Sequence, residues 1–274
     1  MPELPEVESV ARSLRPRLVG AKIVSFETSG LSLRRPIDRR AFERACIGFA
    51  VEEVRRIGKY LLLSLSSQRV IVAHLGMSGR LVFAKSKETR VAHTHAVLGL
   101  SNGLELRYVD PRRFGVLAVY ETKSVAKSAE LSVLGPDPFE SAFSVEYLIA
   151  ELRSSKRNLK NFLLDQSRIA GLGNIYVCEA LFRTGLSPRK RAHRVPRATA
   201  ERLHQVILDV LETAVRNRGT SFSDYVDADG IEGSNQQMLL VYGREGDPCR
   251  SCGAPIKRLV QGGRSTFYCP KCQK

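Results

Sequence analysis

The spacing of apolar side chains divides the chain into a strand-rich first half and a helical second half. Near the N-terminus, Val7, Val10, Ala11 and Leu14 recur at the intervals of one helix face, which predicts a helix there. Short β-branched and leucine-rich runs then predict strands at residues 22–26, 50–56, 60–65, 70–74, 81–83, 96–100, 104–109 and 114–120. This much antiparallel strand favours a two-layer β-sandwich, or a flattened barrel, capped by the first helix.

Helical periodicity takes over in the second half. Residues 135–138, Gly-Pro-Asp-Pro, are typical of a linker, because proline and glycine interrupt regular structure. Beyond them, helices are predicted at residues 144–152, 158–165, 174–183 and 198–216. The segment at residues 217–237 is polar and contains glycines at positions 219, 230 and 233. Such a segment is either disordered or a mobile lid over a pocket.

Charge narrows the class of partner. The 274 residues include 43 Lys and Arg against 28 Asp and Glu, a formal net charge of +15. This excess suits nucleic acid better than a membrane, because no long amphipathic basic helix or lipidation signal is present. A basic protein without a polyanionic partner is the alternative. No apolar run reaches about 18 residues and no signal peptide precedes the acidic start, so we expect a cytoplasmic protein that does not bind membranes.

Four of the six cysteines form two C-x-x-C pairs. Cys249 pairs with Cys252 and Cys269 with Cys272, and 16 residues separate the pairs. In a reducing compartment this spacing indicates a tetrahedral metal site rather than disulfides, and the interval suits a β-hairpin. We therefore expect one structural Zn²⁺ per chain, held by a closed set of four thiolates. The other two cysteines stand in apolar surroundings and are predicted to be core residues.

The first residues carry the most distinctive chemistry. Removal of Met1 exposes Pro2 as a secondary amine, whose ordinary pKa of about 8 leaves roughly a tenth neutral at pH 7. A neutral amine can attack an electrophilic carbon and form an iminium ion, and the carboxyl groups of Glu3 and Glu6 suit proton transfer. An ordinary helix start is the alternative, because Pro5 and the glutamates favour a helix N-terminus. That alternative accounts for neither Pro2 nor Glu3.

Two predicted turns carry an unusual set of side chains. Met77 lies between two glycines within residues 74–79, and Arg112 and Phe114 lie in the turn at residues 110–115. Each turn by itself is ordinary. Together, a soft apolar side chain, a guanidinium and a phenyl ring can fill the gap that a flipped base leaves in duplex DNA.

The sequence Gly171-Leu172-Gly173-Asn174 precedes the third predicted helix of the second half. Glycines at this position leave backbone N–H groups free to bind phosphate, with Asn174 as the helix cap. No Gly-Lys-Ser/Thr sequence follows, so this is not a nucleotide P-loop. Helix capping alone accounts for the same residues, and both interpretations stay open.

Five separated motifs resemble, in the same order, those of formamidopyrimidine-DNA glycosylases, enzymes of base-excision repair. The first is Pro-Glu-Leu-Pro-Glu-Val-Glu, and the resemblance extends from Pro2 to Lys274. The chain departs from the family pattern at Ser234-Asn235, where an aromatic residue is common. The motifs lie at residues 2–8, 58–62, 74–79 together with 110–115, 171–176, and 241–272.

The resemblance implies an α+β fold with three domains. Residues 1–133 would form an antiparallel β-sandwich with a catalytic N-terminal helix. Residues 134–238 would form a helix–two-turn–helix DNA-binding domain with a lid loop over the lesion. Residues 239–274 would form a β-hairpin zinc finger.

The resemblance also implies roles for individual residues. Pro2 would attack the anomeric carbon of the damaged nucleotide, and Glu3 would assist proton transfer and sugar opening, with Glu6 supporting the N-terminus. Lys59 would hold phosphate and transfer a proton during strand cleavage, although a lysine at a strand edge is usually a solvated gatekeeper. Arg264 would bind the phosphates that flank the lesion. The residues implied in DNA binding are Met77, His93, Arg112, Phe114, Lys156, Lys160, Asn174 and Tyr242. His93 and His95 resemble the histidine pair of the family, of which one would touch phosphate, with a satisfied structural histidine as the alternative.

The expected function is that of a bifunctional DNA glycosylase and AP lyase. Acting as a monomer on duplex DNA with oxidised bases or abasic sites, it would excise 8-oxoguanine and formamidopyrimidines and cleave the strand by β,δ-elimination. One alternative is the related endonuclease VIII type, which prefers oxidised pyrimidines and is disfavoured by the Leu-Pro-Glu start. The other is a non-catalytic zinc-ribbon DNA-binding protein, in which a retained Met1 would lock the Pro2 nitrogen in a peptide bond.

Overall fold

The computed structural model describes residues 2–222 and 225–274. Met1, whose removal is expected, lies outside the described residues. The chain divides into two compact units, Met1–Ser132 with Asn217–Gln236, and Val133–Arg216 with Gln237–Lys274. This division differs from the predicted domains, because residues 217–236 group with the first unit and the C-terminal hairpin groups with the second.

The first unit is a β-sandwich with a helix at its N-terminus. Helix α1 spans Leu4–Leu18, and its apolar face is buried as the spacing predicts. The strands form two antiparallel sheets, in the orders β1-β6-β7-β5 and β2-β3-β4-β8. They are β1 (Ile23–Thr28), β2 (Val51–Ile57), β3 (Tyr60–Leu65), β4 (Arg69–His74), β5 (Arg80–Lys85), β6 (Thr94–Leu100), β7 (Leu104–Val109) and β8 (Val116–Glu121).

One apolar core joins both sheets to α1. Side chains such as Leu98 and Leu106 from one sheet and Leu63 and Ile71 from the other belong to the same buried cluster as Leu14. Burial of this face fixes the register of each strand, because a one-residue slip would expose the whole apolar set. The predicted sandwich is confirmed.

Helix α2 (Arg39–Cys46) was not predicted from the sequence. It has 8 residues, and Asp38 caps it by accepting a hydrogen bond from the backbone N–H of Ala41 at 2.9 Å. Its buried residues are Phe42, Ala45 and Cys46. An element this short does not complete enough turns for apolar periodicity to identify it.

The second unit contains all four predicted helices and a hairpin. Strands β9 and β10 form an antiparallel pair that carries the cysteine block. The elements are α3 (Val145–Arg153), α4 (Leu159–Leu163), α5 (Asn174–Thr184), α6 (Arg197–Arg216), β9 (Lys257–Gln261) and β10 (Arg264–Tyr268). Within the described residues, none of the helices combines the length and apolarity needed to cross a membrane.

Candidate active site and nucleic-acid interface

A reciprocal cap begins helix α1 beside the N-terminal residue. The carboxylate of Glu3 accepts a hydrogen bond from the backbone N–H of Glu6, and Glu6 Oε2 accepts one from the backbone N–H of Glu3 at 2.8 Å. Pro2 is buried, as are Glu3, at 2% exposure, and Glu6, at 1%. The backbone therefore fixes two carboxyl groups next to the residue whose amine is the predicted nucleophile.

Glu6 also holds the polar segment at residues 217–236. Its Oε1 accepts a hydrogen bond from the backbone N–H of Thr220 at 2.7 Å, and its carbonyl oxygen accepts one from the Tyr225 hydroxyl at 3.1 Å. Gly219 has a positive φ of 81°, and a Cβ atom there would lie 2.8 Å from Glu6 Oε1, so glycine suits this approach. These hydrogen bonds hold Thr220 and Tyr225 against α1, and residues 223 and 224 of the predicted lid lie outside the described residues.

Lys59 lies in the turn between β2 and β3, where its side chain is 7% exposed. Arg56 stabilises this turn by donating to the carbonyl oxygen of Gly58 at 3.0 Å, and it pairs with Glu8 on α1 at 3.1 Å. The ion pair ties the lysine turn to the helix that starts beside Pro2. A lysine as buried as this one does not fit a solvated gatekeeper, which is the alternative for this position.

The two turns predicted to fill a DNA gap meet in the first unit. The Ser78 hydroxyl donates to Asp110 Oδ1 at 2.7 Å, and the backbone N–H of Arg112 donates to Ser78 Oγ at 3.2 Å. The Arg112 guanidinium stacks over the Phe114 ring, 4.8 Å from its centroid. Met77 and Phe114 are 42% and 44% exposed, so these large apolar side chains face outward from two turns that hydrogen bonds hold in place.

Close backbone packing sets the geometry of these turns. A Cβ atom at Gly76 would lie 2.6 Å from the backbone carbon of Phe114, which no side chain could tolerate. Asp110, fully buried, accepts a further hydrogen bond at Oδ2 from the backbone N–H of Gly115 at 2.8 Å. The structure thus brings Met77, Arg112 and Phe114 together as one surface, which we call the wedge.

The histidine pair separates into one exposed and one buried residue. His93 is exposed, adopts a positive φ of 65°, and its carbonyl oxygen accepts a hydrogen bond from the Asp110 N–H at 3.0 Å. The buried ring of His95 hydrogen-bonds Ser29 Oγ and the carbonyl oxygen of Asp110, each at 3.1 Å. Burial lowers the pKa of His95. His95 is therefore structural, and His93 is the member of the pair that can meet a ligand beside the wedge.

In the second unit, α4 and α5 hold strand β10. Gly173 is the N-cap of α5, so the prediction that Asn174 is the cap was wrong. Instead, Asn174 Nδ2 donates to the carbonyl oxygen of Ser265 at 2.8 Å. Lys160 is fully buried, and its Nζ donates to the same oxygen at 2.8 Å and to Thr266 Oγ1 at 2.5 Å. Lys160 is thus a buried residue that supports β10, and not a surface cation, which corrects the expected contact between Lys160 and phosphate. Lys156 is exposed.

Arg264 lies at the tip of the β9–β10 hairpin. Gly262 and Gly263 form the two-residue turn with φ values of 56° and 72°, the positive values that a type I′ turn requires. Gln261 and Arg264 are paired across this turn, and the arginine side chain is exposed. Asn174 and Lys160 both donate to the carbonyl oxygen of the neighbouring Ser265, so the backbone next to Arg264 is rigidly supported.

Sequence reasoning missed Glu179, which anchors the segment before the finger. This carboxylate is 1% exposed and accepts hydrogen bonds from the consecutive backbone N–H groups of Leu240, Val241 and Tyr242, each at 2.9 Å. Tyr242 packs edge-on against Phe267 with ring centroids 5.0 Å apart. An acidic residue within the apolar sequence Ile-Tyr-Val-Cys-Glu-Ala-Leu was the signal that could have identified it, because buried charges need partners.

The four predicted metal ligands come together. The Sγ atoms of Cys249, Cys252, Cys269 and Cys272 all lie within 4.8 Å of one another, with separations of 3.9 Å and 3.5 Å for two of the pairs. Tetrahedral zinc with Zn–S bonds of about 2.3 Å requires sulfur atoms about 3.8 Å apart. A hydrogen bond with Cys252, together with burial, raises the pKa of the Cys272 thiol to about 12. Four sulfur ligands at these distances fit zinc, and a tetrahedral site closed by four protein ligands leaves no position for substrate.

Three family models match the chain, in order. They are the formamidopyrimidine-DNA glycosylase N-terminal domain at residues 1–117, the formamidopyrimidine-DNA glycosylase H2TH domain at residues 134–226, and the zinc finger found in FPG and IleRS at residues 246–274. The chain belongs to the formamidopyrimidine-DNA glycosylase family.

Relatives of this glycosylase family match the chain over its whole length. The formamidopyrimidine-DNA glycosylase of Ruegeria pomeroyi is 43% identical and covers 100% of both chains. A Lactococcus lactis FPG variant in complex with Fapy-dG DNA is 33% identical over 100% of both chains, with a TM-score of 0.93. MutM in complex with DNA containing carbocyclic 8-oxo-G has the same identity and coverage, with a TM-score of 0.91.

His74 is a second residue of the glycosylase that sequence reasoning missed. It ends β4 and pairs with Tyr60 in the ladder with β3, which places Lys59 beside the start of the Met77 loop. His74 Nδ1 accepts a hydrogen bond from the backbone N–H of Gly76 at 3.0 Å. Burial, and then the charges of Arg34 and Lys59, lower the pKa of His74 to about 4. A neutral imidazole therefore shapes one half of the wedge.

The depressed pKa of His74 makes stability depend on pH. Unfolded His74 takes up a proton near its ordinary pKa of about 6.5, whereas the folded ring stays neutral until about pH 4. Folding stability should therefore fall as the pH decreases from about 6.5 to 4, by at most about 3 kcal/mol from this residue. Urea unfolding of the wild type and His74→Asn across this range should show the variant losing less stability. The zinc ligands titrate in both proteins and therefore affect both stability curves equally. An equal loss of stability in the wild type and in His74→Asn would contradict the assignment of the effect to His74.

Proposed function

We propose that this chain is a bifunctional DNA glycosylase and AP lyase that excises oxidised purines from duplex DNA, with Pro2 as its nucleophile. The observation that carries the proposal is a buried proline, next in sequence to Met1, beside two carboxyl groups that the backbone fixes, in a member of this family. The relatives complexed with Fapy-dG and 8-oxo-G DNA support oxidised purines as the substrate class.

The reaction follows from the chemistry of a secondary amine. The lone pair of the Pro2 nitrogen attacks C1′ of the damaged nucleotide, and the bond from C1′ to the base breaks as the base leaves with its electron pair. Glu3 takes up the proton that the Pro2 nitrogen loses after the attack and passes it to the sugar ring oxygen, so the ring opens and an iminium ion forms at C1′. The iminium acidifies the C2′ proton. Its loss expels the 3′ phosphate, and a second elimination expels the 5′ phosphate.

Lys59 is proposed to act on the phosphate next to the open sugar. Lys59 is mostly buried, and Arg56 and Glu8 fix its turn to α1, which supports a position close to the N-terminal chemistry. A cation here stabilises phosphate and can transfer a proton during elimination. Glu6 is proposed to position the N-terminus and residues 217–236 rather than to react.

The remaining residues are proposed to bind DNA. The exposed His93, Lys156 and Arg264 are proposed to contact phosphate. Asn174 and Tyr242 are proposed to lie on the face of the second unit that binds phosphate. The wedge fills the gap left by the extruded base. A net charge of +15 supports retention on DNA, and we propose that the protein acts as a monomer in the cytoplasm, associated with the nucleoid.

Lesion preference and product ends test the function directly. Duplexes with 8-oxoguanine, a formamidopyrimidine or an oxidised pyrimidine should be compared in single-turnover excision, with gel analysis of the cleaved strand. We expect faster excision of the purine lesions and phosphate on both ends of the gap, the result of β,δ-elimination. Faster excision of the pyrimidine lesion would instead favour an endonuclease VIII activity.

Arg112 should determine which base is accepted opposite the lesion. Cytosine presents two adjacent acceptors, N3 and O2, which match the paired donors of a guanidinium. Adenine presents one acceptor beside an amino donor that arginine cannot satisfy. We expect excision opposite cytosine to be favoured by about 1–3 kcal/mol over adenine, and most of this preference to disappear in Arg112→Ala. The measurement is the ratio of single-turnover rates opposite the two bases.

Arg113 offers a matched control for this experiment. It carries the same charge one position away but has a positive φ of 56°, so Arg113→Asn removes the charge in a residue that tolerates this conformation. The control should keep the cytosine preference. A ratio unchanged in Arg112→Ala would make Arg112 a further phosphate-binding cation.

Arg264 should affect binding to DNA but not the choice of lesion. One lost phosphate contact lowers the slope of log K against log salt by about 0.9. We expect this change in Arg264→Ala, measured by fluorescence anisotropy on a duplex with a reduced abasic site, which cannot form the Schiff base. Lys257→Ala removes a charge from the far end of the same hairpin, opposite Tyr268, and should leave the slope unchanged. Altered lesion preference with an unaltered slope would contradict the phosphate role.

A further inference from the structure

A groove that the glycosylase chemistry does not use lies in the first unit, between α2 and β8. Its volume is about 410 Å³, which is within the size range of binding sites. A second depression of about 220 Å³ shares Arg69 and Glu121 with it and extends it past the end of β8. Small apolar side chains, Ala41, Ala45 and Val119, contribute to the lining of the main groove.

Positive charge dominates the rim of this groove. In the described part of the chain, its linings contain Arg44, Arg69 and Lys123 against a single carboxylate, Glu121. Arg69 and Lys123 share that carboxylate, at 2.6 Å and 3.4 Å. Arg44 is exposed and has no ion-pair partner among the described residues. The groove therefore carries an unneutralised excess of cations around an apolar surface.

One wall of the groove is rigid before any ligand arrives. The Tyr120 hydroxyl donates to Glu130 Oε2 at 2.6 Å and accepts a hydrogen bond from Arg35 Nη2 at 2.7 Å. Arg35 also forms an ion pair with the buried Glu130 carboxylate. A wall fixed in this way costs little further conformational entropy on binding.

The groove and the wedge lie at opposite ends of β8. The strand begins two residues after Phe114, at Val116, and the groove is lined by its last residues, Val119 to Glu121. At about 3.4 Å per residue, Val116 and Glu121 are roughly 17 Å apart. DNA held at the wedge would leave this end of the strand accessible.

We propose that this groove binds an acidic peptide segment of a partner protein, in which a run of carboxylates precedes a bulky apolar side chain. The carboxylates would pair with Arg44, Arg69 and Lys123, and the apolar side chain would pack on Ala41 and Val119. A DNA backbone fits less well, because a phosphate gains nothing from the apolar lining.

A fluorescein-labelled peptide of aspartates ending in phenylalanine serves as the probe for anisotropy with the full-length protein. The wild type should bind this peptide, with weaker binding when serine replaces phenylalanine and none when asparagines replace the aspartates. Arg44→Glu should weaken binding about tenfold or more, because it sets a carboxylate opposite the aspartates of the peptide and like charges across an interface oppose binding. Arg40→Glu, an exposed position one turn earlier on α2 and outside the lining, is the matched control and should bind normally.

The peptide should bind equally well when the protein is saturated with a duplex containing a reduced abasic site, which cannot form the Schiff base. Lesion excision by Arg44→Glu should equal that of the wild type, which also shows that the variant folds. Failure of the wild type to bind, or equal weakening by Arg44→Glu and Arg40→Glu, would overturn the proposal. Displacement of the peptide by undamaged duplex, with weaker duplex binding by Arg44→Glu, would make the groove a DNA contact instead. The asparagine peptide tests the charge requirement without any substitution in the protein.

Discussion

Borohydride should trap a covalent complex with lesion DNA when Pro2 is the free N-terminus, and trapping should fall below detection when any residue precedes it. The reason is electronic, because resonance in a peptide bond removes the nitrogen lone pair that attacks C1′. Two preparations of the same chain make the comparison, one with Met1 removed and one with an uncleaved residue before Pro2. Mass spectrometry verifies each N-terminus, and denaturing gels with labelled duplex measure the trapped complex.

Two variants separate Pro2 from Lys59, the other amine beside this chemistry. Pro2→Gly keeps a free N-terminal amine and should retain measurable trapping. Lys59→Met should also form the trapped complex, because the proposed role of Lys59 comes after the Schiff base has formed. The defect of this variant should appear in strand cleavage. A blocked N-terminus that still traps would assign the nucleophile to a lysine. A verified Pro2 terminus that excises lesions but never traps would refute the Schiff-base mechanism.

Local patterns predicted the elements of this fold well, since periodicity reports which face of an element is buried. The helices of the second unit and the β-sandwich of the first follow from that signal. Helix α2 does not, because 8 residues hold too few turns for a pattern. The pairing of β4 with β8, which carries the two wedge turns toward each other, depends on contacts far apart in sequence that periodicity does not encode.

The site residues divide in a similar way. The reactivity of Pro2 and the metal affinity of four cysteines are properties of side-chain type and spacing, so the sequence is sufficient to propose them. The burial of Lys160 and the three hydrogen bonds to Glu179 depend on where β10 and residues 240–242 pack, which no local window contains. Lysine is rarely buried, so the sequence predicts a surface cation at Lys160, and the partners that bury it lie 105 and 106 positions away.

Loss of zinc should unfold the finger and abolish DNA binding while the first unit keeps its structure. Structural zinc contributes about 10–16 kcal/mol of apparent folding free energy in zinc-finger peptides, and an isolated two-stranded hairpin is marginal at best. Cys252→Ser removes one of four ligands, so we expect a zinc content near zero and loss of the hairpin that presents Arg264. Elemental analysis gives the zinc content, anisotropy gives DNA affinity, and hydrogen exchange reports the two units separately.

Cys178→Ser provides the matched control for this prediction. Cys178 is buried in α5, within the same apolar cluster as Cys249 and Cys269, yet it is not one of the four grouped ligands. Its substitution adds a buried hydroxyl, which costs about 1–3 kcal/mol, but should leave one zinc per chain and wild-type DNA affinity. If the finger were held by apolar packing alone, both variants would weaken binding to a similar degree. Metal-free protein that binds DNA as the wild type does would show that zinc has no part in presenting Arg264, because the hairpin would then be stable on its own.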